Sequence, residues 1–98
     1  VVILKGSGTV ITNPDNSLVI NTTGNPALAT AGTGDVLAGL CGSLLAQRWS
    51  VWNAALAAVW IHGDAADCMV SEGIGPIGIT APELLPYLRK SLNQLLTG

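Results

Sequence analysis

Residues 31–45 read Ala31-Gly-Thr-Gly-Asp35-Val-Leu-Ala-Gly-Leu40-Cys-Gly-Ser-Leu-Leu45, and the chain changes its repeat inside them. From Leu37 onward, Leu40, Cys41, Leu44 and Leu45 recur at i+3, i+4, i+7 and i+8. That is the stripe of an amphipathic helix, predicted over residues 33–48. Gly39 and Gly42 lie inside it, and glycine costs about 1 kcal/mol against alanine in a helix interior. Their presence predicts another backbone packed close on that side. Downstream, Ser50 is placed to cap a second helix over residues 51–70, apolar nearly all round as far as Ile61 and so expected at the centre of the fold. A loop rich in glycine spans residues 71–79. Thr80-Ala-Pro-Glu83 has the spacing of a capping box, with Pro in the first turn. Pro86 sits too far in for a regular helix, so the last helix is expected to kink or restart there. Its apolar stripe is Leu85, Leu88, Leu92, Leu95 and Leu96.

Upstream the chain reads as strands rather than helix. Residues 1–4 are an unbroken apolar run, as for a strand buried on both faces. Gly6-Ser7-Gly8 is a turn, residues 9–12 a β-branched second strand, Asn13-Pro14-Asp15-Asn16 a turn, and residues 17–21 a third strand. The short spacings predict an antiparallel meander. Residues 22–33 form a loop. The chain is therefore α/β: short strands in residues 1–22, then three helices. A first strand buried on both faces wants parallel neighbours, which need crossover helices that do not precede it. Residues 1–98 thus read as the C-terminal part of one α/β domain.

Composition narrows the function. Of 98 residues, 49% are apolar and 10% charged, with a net charge of −2. With 4 Lys+Arg there is no basic footprint for nucleic acid or an anionic membrane. The apolar run from Val51 to Val70 is interrupted by Asn53, His62, Asp64 and Asp67, which argues against a membrane span. The N-terminus shows neither the basic flank nor the cleavage site of a signal peptide. Cys41 and Cys68 lack CxxC spacing and read as buried free thiols in a reducing, cytoplasmic compartment. So apolar a chain of this size is expected to be a homo-oligomer or to lack an N-terminal half that would cover it.

Four stretches can carry chemistry. Gly32-Thr33-Gly34-Asp35 stands at a helix N-terminus, where unpaired N–H groups and the helix dipole attract an anion. Asp35, beside that hole, is a candidate general base for activating a hydroxyl toward a phosphoryl group. An ordinary helix start uses the same residue types. The pattern is neither Walker A nor GxGxxG. Lys5-Gly6-Ser7-Gly8-Thr9 ends a strand with a lysine able to face a phosphate; a plain hairpin reads alike. Asn25-Pro26 taken alone is a turn. His62-Gly63-Asp64-Ala65-Ala66-Asp67 could hold a hydrogen-bonded core histidine at a helix-to-loop transition around Gly63. Asp64 and Asp67, at i and i+3, could share a face. No metal set is complete, and one His with no GxSxG makes no triad.

Taken together, Lys5-Gly-Ser-Gly-Thr9-Val-Ile, then Thr23-Gly-Asn-Pro26-Ala-Leu-Ala-Thr-Ala-Gly-Thr-Gly-Asp35-Val-Leu-Ala-Gly39, then His62-Gly63, closely resemble the C-terminal part of ADP- or ATP-dependent NAD(P)H-hydrate dehydratases of the ribokinase-like superfamily. The resemblance runs over essentially the whole chain. Ala27-Leu28 and Ala31 depart from the family's common Gly-Met and Gly. The resemblance implies a C-terminal piece of a ribokinase-like fold. It implies repair of NAD(P)HX, the hydrated form of NAD(P)H, with ADP or ATP as co-substrate and Mg²⁺ on the nucleotide phosphates. By motif match, Lys5, Gly6, Ser7, Gly8, Thr9 and Gly34 would contact the nucleotide. Gly32, Thr33 and Gly34 would form the anion hole. Asp35 and Asn25 would contact the hydrate, Asp35 as the catalytic residue, with His62 supporting them from behind. The family domain is more than twice as long, so the isolated piece is expected to be inactive. A related small-molecule kinase, hydroxyethylthiazole-kinase-like, and a non-catalytic nucleotide-binding fragment are the alternatives.

Overall fold

A computed structural model describes residues 1–5, 9–29 and 32–97. Three strands, β1 (Val2–Leu4), β2 (Thr9–Thr12) and β3 (Leu18–Asn21), form an antiparallel sheet in the order β1-β2-β3. The pairing aligns Ile3 with Ile11 and Ile11 with Val19, and Leu4 with Val10 and Val10 with Ile20. Because side chains alternate along a strand, those two rows point to opposite faces. Ile11, 1% exposed, carries its row into the core. The turn between β2 and β3 is tied by Asp15, whose Oδ1 accepts the Ser17 N–H at 2.8 Å.

The prediction of a β1 buried on both faces is not met. Val2 is 53% and Leu4 60% exposed, and β1 pairs only with the antiparallel β2 among the described residues. Nothing described packs on the outer face of the sheet at these positions.

A short 3₁₀ turn, Pro26–Ala29, leads into α1 (Thr33–Ala46). Helix α1 ends two residues before the predicted Arg48. The Arg48 N–H donates to the Leu45 carbonyl and the Trp49 N–H to that of Leu44, with Arg48 at φ +69°. This is the two-bond helix stop that usually employs glycine. Glycine does hold the matching place after α2 (Val51–Ser71), at Gly73 with φ +82°. Ser50 caps α2, its Oγ accepting the Asn53 N–H at 3.2 Å.

Helix α2 is central, as predicted, and runs unbroken through Gly63, so no helix-to-loop transition occurs there. Ala54, Ala55, Ala58, Ala65 and Ala66 are buried along it, letting α1 and α3 approach closely. The predicted crowding at Gly39 and Gly42 is absent. Among the described residues a Cβ at either position would meet nothing within 4 Å, because both glycines face outward.

The capping box forms: the Glu83 carboxylate accepts from the Thr80 N–H at 2.8 Å and from Thr80 Oγ1 at 2.9 Å. The chain then makes a 3₁₀ turn, Ala81–Leu84, and restarts as α3 (Leu85–Thr97), which absorbs Pro86 into its first turn. The apolar stripe shifts accordingly. Leu84 is buried and Leu85 exposed, the reverse of the prediction for Leu85. Leu88 is buried and Leu92 packs against the core, while the side chains of Leu95 and Leu96 lie outside the described part. Asp64 on α2 accepts a hydrogen bond from the buried Ser91 on α3 at 2.8 Å. No helix among the described residues is long and apolar enough to cross a membrane.

Candidate functional site

The start of α1 is built by glycine at two points for two reasons. Gly32, the N-cap, has φ +88°, and an added Cβ would stand 3.2 Å from that of Ala81. Gly34 faces the end of β1: a Cβ there would stand 3.1 Å from Lys5 Nζ. The ammonium of Lys5 thus lies over the first turn of α1. The first N–H groups of a helix have no acceptor within it, so fixed partial positive charge and a full positive charge converge on one spot. Asp35, exposed, stands in the same first turn. Thr33 beneath is buried, and its Oγ1 donates to the Leu28 carbonyl at 2.6 Å.

His62 closes this site from α2. It is 3% exposed. Burial pushes its pKa below the usual imidazole value; the Thr33 backbone opposes that shift and the nearby Lys5 charge adds to it. Its Nε2 has no hydrogen-bond partner among the described residues. Lys5, Gly32, Thr33, Gly34, Asp35 and His62 therefore come together. Thr9 opens β2, one residue beyond the described gap. Gly6, Ser7 and Gly8, assigned from the sequence to nucleotide contact, lie outside the described residues.

Asn25 is placed differently from the rest. Its Nδ2 donates to Asp67 Oδ1 at 3.0 Å and its Oδ1 accepts the Ala27 N–H at 2.9 Å. Both ends of the side chain are engaged in holding the loop. Asp67 Oδ2 also accepts the Gly24 N–H at 2.9 Å. Thr23 Oγ1 donates to the Trp60 carbonyl at 3.2 Å. The loop presses on α2 so closely that a Cβ on Gly63 would lie 2.7 Å from the Thr23 carbonyl carbon. Trp60, Gly63 and Asp67 fall at i, i+3 and i+7, one stripe of α2. Sequence reasoning missed Asp67 and Thr23. That stripe was the available signal, though the partner of Asp67 lies 42 residues away.

No group of three or more His, Cys, Asp or Glu among the described residues could hold a metal ion. Cys41 and Cys68 are unpaired and half-buried, and burial pushes both thiols up; beside Cys68 the Asp64 charge adds to the effect.

The model of one protein family, NAD(P)H-hydrate dehydratase, matches residues 1–90. The chain belongs to that family. An ADP-dependent (S)-NAD(P)H-hydrate dehydratase of Neisseria meningitidis is 46% identical over 95 residues, covering 96% of this chain and 32% of the relative. The bifunctional NAD(P)H-hydrate repair enzyme Nnr of Escherichia coli is 39% identical over 97 residues, which are 99% of this chain and 19% of that one. Among solved structures, the Bacillus subtilis ADP/ATP-dependent NAD(P)H-hydrate dehydratase, co-crystallised with ATP/Mg²⁺, superposes with a TM-score of 0.86 at 37% identity. The match covers 93% of this chain and 32% of the Bacillus one. The chain thus spans about a third of these dehydratases, and less of the bifunctional enzyme.

Proposed function

We propose that residues 1–98 are the C-terminal portion of one ribokinase-like domain that dehydrates NAD(P)HX to NAD(P)H in the cytoplasm, using ADP or ATP. The observation that carries this reading is the Lys5 ammonium held over the glycine-built start of α1, 3.1 Å from where a side chain at Gly34 would begin. That arrangement suits the phosphates of a nucleotide better than any other feature of the chain. The unpaired thiols suit a reducing compartment.

Each residue has a part. Lys5 and the Gly32–Gly34 turn take the phosphates, and Gly6, Ser7, Gly8 and Thr9 are assigned to nucleotide contact by their motif. Asp35 takes the proton of the hydrate's hydroxyl as its oxygen bonds the terminal phosphorus and the bond to the leaving nucleotide breaks. The phosphate then leaves the ring carbon while a proton leaves the neighbouring carbon, restoring the double bond. Buried and neutral, His62 supports Thr33 from below. With no three-ligand cluster among the described residues, Mg²⁺ would be held by the phosphates themselves, neutralising their charge.

The outer face of the sheet supports the assignment to part of a larger domain. Val2, Leu4, Leu18 and Ile20 are all exposed there, where a solvated antiparallel sheet would be polar. The 98 residues alone are therefore expected not to turn over.

The test is to give the complete protein that carries this segment NAD(P)HX with ADP or ATP and follow recovery of NAD(P)H absorbance. Asp35→Asn should lower turnover by roughly 10²–10⁴-fold with nucleotide affinity nearly unchanged. Phosphorylation of a thiazole or pyrimidine alcohol, without NAD(P)H recovery, would overturn the assignment in favour of a kinase.

A further inference from the structure

We propose that Asp67 is a positioning residue for this site. By accepting the Gly24 N–H and the Asn25 Nδ2–H it pins the 22–29 segment to α2, and through that segment it sets where α1 begins. The proposal rests on the dehydratase reading only for what the site then does.

The connection can be followed bond by bond. Asp67 holds Gly24 at 2.9 Å and Asn25 at 3.0 Å. Asn25 in turn takes the Ala27 N–H on its Oδ1 at 2.9 Å and the Leu28 N–H on its carbonyl at 3.1 Å. The Leu28 carbonyl accepts Thr33 Oγ1 at 2.6 Å. Thr33 is the first residue of α1, and Gly34 and Asp35 follow it directly. One carboxylate on α2 is thus linked to the anion hole through a single short 3₁₀ turn. The far end of the same segment is fixed to α2 by Thr23 on the Trp60 carbonyl and by contact with Gly63.

A carboxylate is required by the donor count. Asp67 meets two donors, one N–H on each oxygen. An asparagine there could accept one of them and would turn its own N–H₂ on the other. Asn25 cannot rotate to relieve this, because its Oδ1 is taken by Ala27. Exchanging the two residues restores every bond. With the amide moved to α2, its oxygen would take the Gly24 N–H. Its N–H₂ would donate to the carboxylate now on the loop, whose other oxygen keeps the Ala27 N–H.

The experiment compares Asp67→Asn, Asn25→Asp and the double exchange in the complete protein with wild type. It measures kcat at saturating substrates, nucleotide affinity and stoichiometry, and amide hydrogen exchange over residues 23–35. Small misplacements of reacting groups cost up to about 10²-fold in rate. Each single variant should therefore lose about 10- to 100-fold in kcat and exchange these amides faster. Nucleotide stoichiometry should stay at the wild-type value, whatever the change in affinity, which a mere loss of folded protein would not give. The double exchange should bring both kcat and exchange protection back to within about threefold of wild type. Single variants with wild-type kcat, or a double exchange no better than either single, would overturn the proposal. Should wild type itself fail to release NAD(P)H, the dehydratase reading falls. The exchange data then decide the clamp alone: unchanged protection in both single variants refutes it, and loss restored by the exchange supports it.

Discussion

The same substitution, glycine to alanine, should act with opposite sign on α1 and on α2. At Gly39 and Gly42 an added methyl meets nothing within 4 Å among the described residues. Each change should then return the helix propensity that glycine forfeits, a gain of about 0.5–1 kcal/mol. At Gly63 the methyl would stand 2.7 Å from the Thr23 carbonyl carbon and 2.8 Å from its Cβ. Carbon contacts are most favourable at about 3.5–4.0 Å, so the loop must move by roughly an ångström or the helix must bend. Overpacking of this kind costs about 1–3 kcal/mol. The Thr23 hydroxyl is the first obstacle and the backbone carbonyl carbon stands just behind it, which places Gly63→Ala at the upper end. After subtracting the propensity gain of about 1 kcal/mol, a net loss of about 2 kcal/mol remains. Urea unfolding of the complete protein measures all three variants, with an unchanged m-value confirming that the midpoints report stability. Adding Thr23→Ala to Gly63→Ala should recover only part of the loss, because it removes the hydroxyl but leaves the carbonyl carbon and Cβ in the way. A Gly63→Ala protein as stable as Gly39→Ala would refute the tight approach of the loop to α2.

Three further outcomes follow from the geometry. Burial holds the pKa of His62 below its unfolded value. The unfolded chain therefore takes up that proton first, so stability is full above about pH 6.5 and falls as pH drops through it, by at most about 1.4 kcal/mol per pH unit. His62→Gln should remove that part of the acid slope in pH-dependent urea midpoints, and an unchanged slope would assign it to other groups. Gly34→Ala should leave stability nearly untouched, since it displaces only the end of the flexible Lys5 side chain, yet weaken ADP binding by calorimetry. Ile20→Thr, on the outer face of the sheet, should cost about 1–3 kcal/mol in the complete protein if the rest of a larger domain covers it, and nothing if water does.

The helices were legible because their signals are local. Ser50, the Thr80 to Glu83 box and the apolar spacing each lie within a turn or two of what they determine. The choice between Leu84 and Leu85 was not local in this way. Both lie one turn before Leu88, and the 3₁₀ turn of residues 81–84 decides which points inward. The unbroken apolar run of β1 says that those side chains suit burial, not what buries them. Glycine spacing points to a close approach at Gly39 and Gly42, but the close approach is at Gly63, where Thr23 arrives from 40 residues earlier in sequence. At the site, the glycine-built start of α1 was readable from glycine spacing. Asp67 was not, because a carboxylate becomes a loop anchor only once the distant Gly24 and Asn25 are beside it.

The polar residues of α2 show how a mostly apolar helix organises its neighbours. His62, Asp64 and Asp67 interrupt an otherwise apolar stretch, and each serves a different neighbour. His62 lies against Thr33 at the start of α1, Asp64 takes the hydroxyl of Ser91 on α3, and Asp67 holds the loop at Gly24 and Asn25. Asp64 and Asp67 sit one turn apart but are divided between two elements rather than sharing one partner. Alanines on the same helix let those elements come within reach of side chains this short. A longer acid at either place would have to fold back to make the same bond. A central helix of small residues thus gathers the segments that build the start of α1.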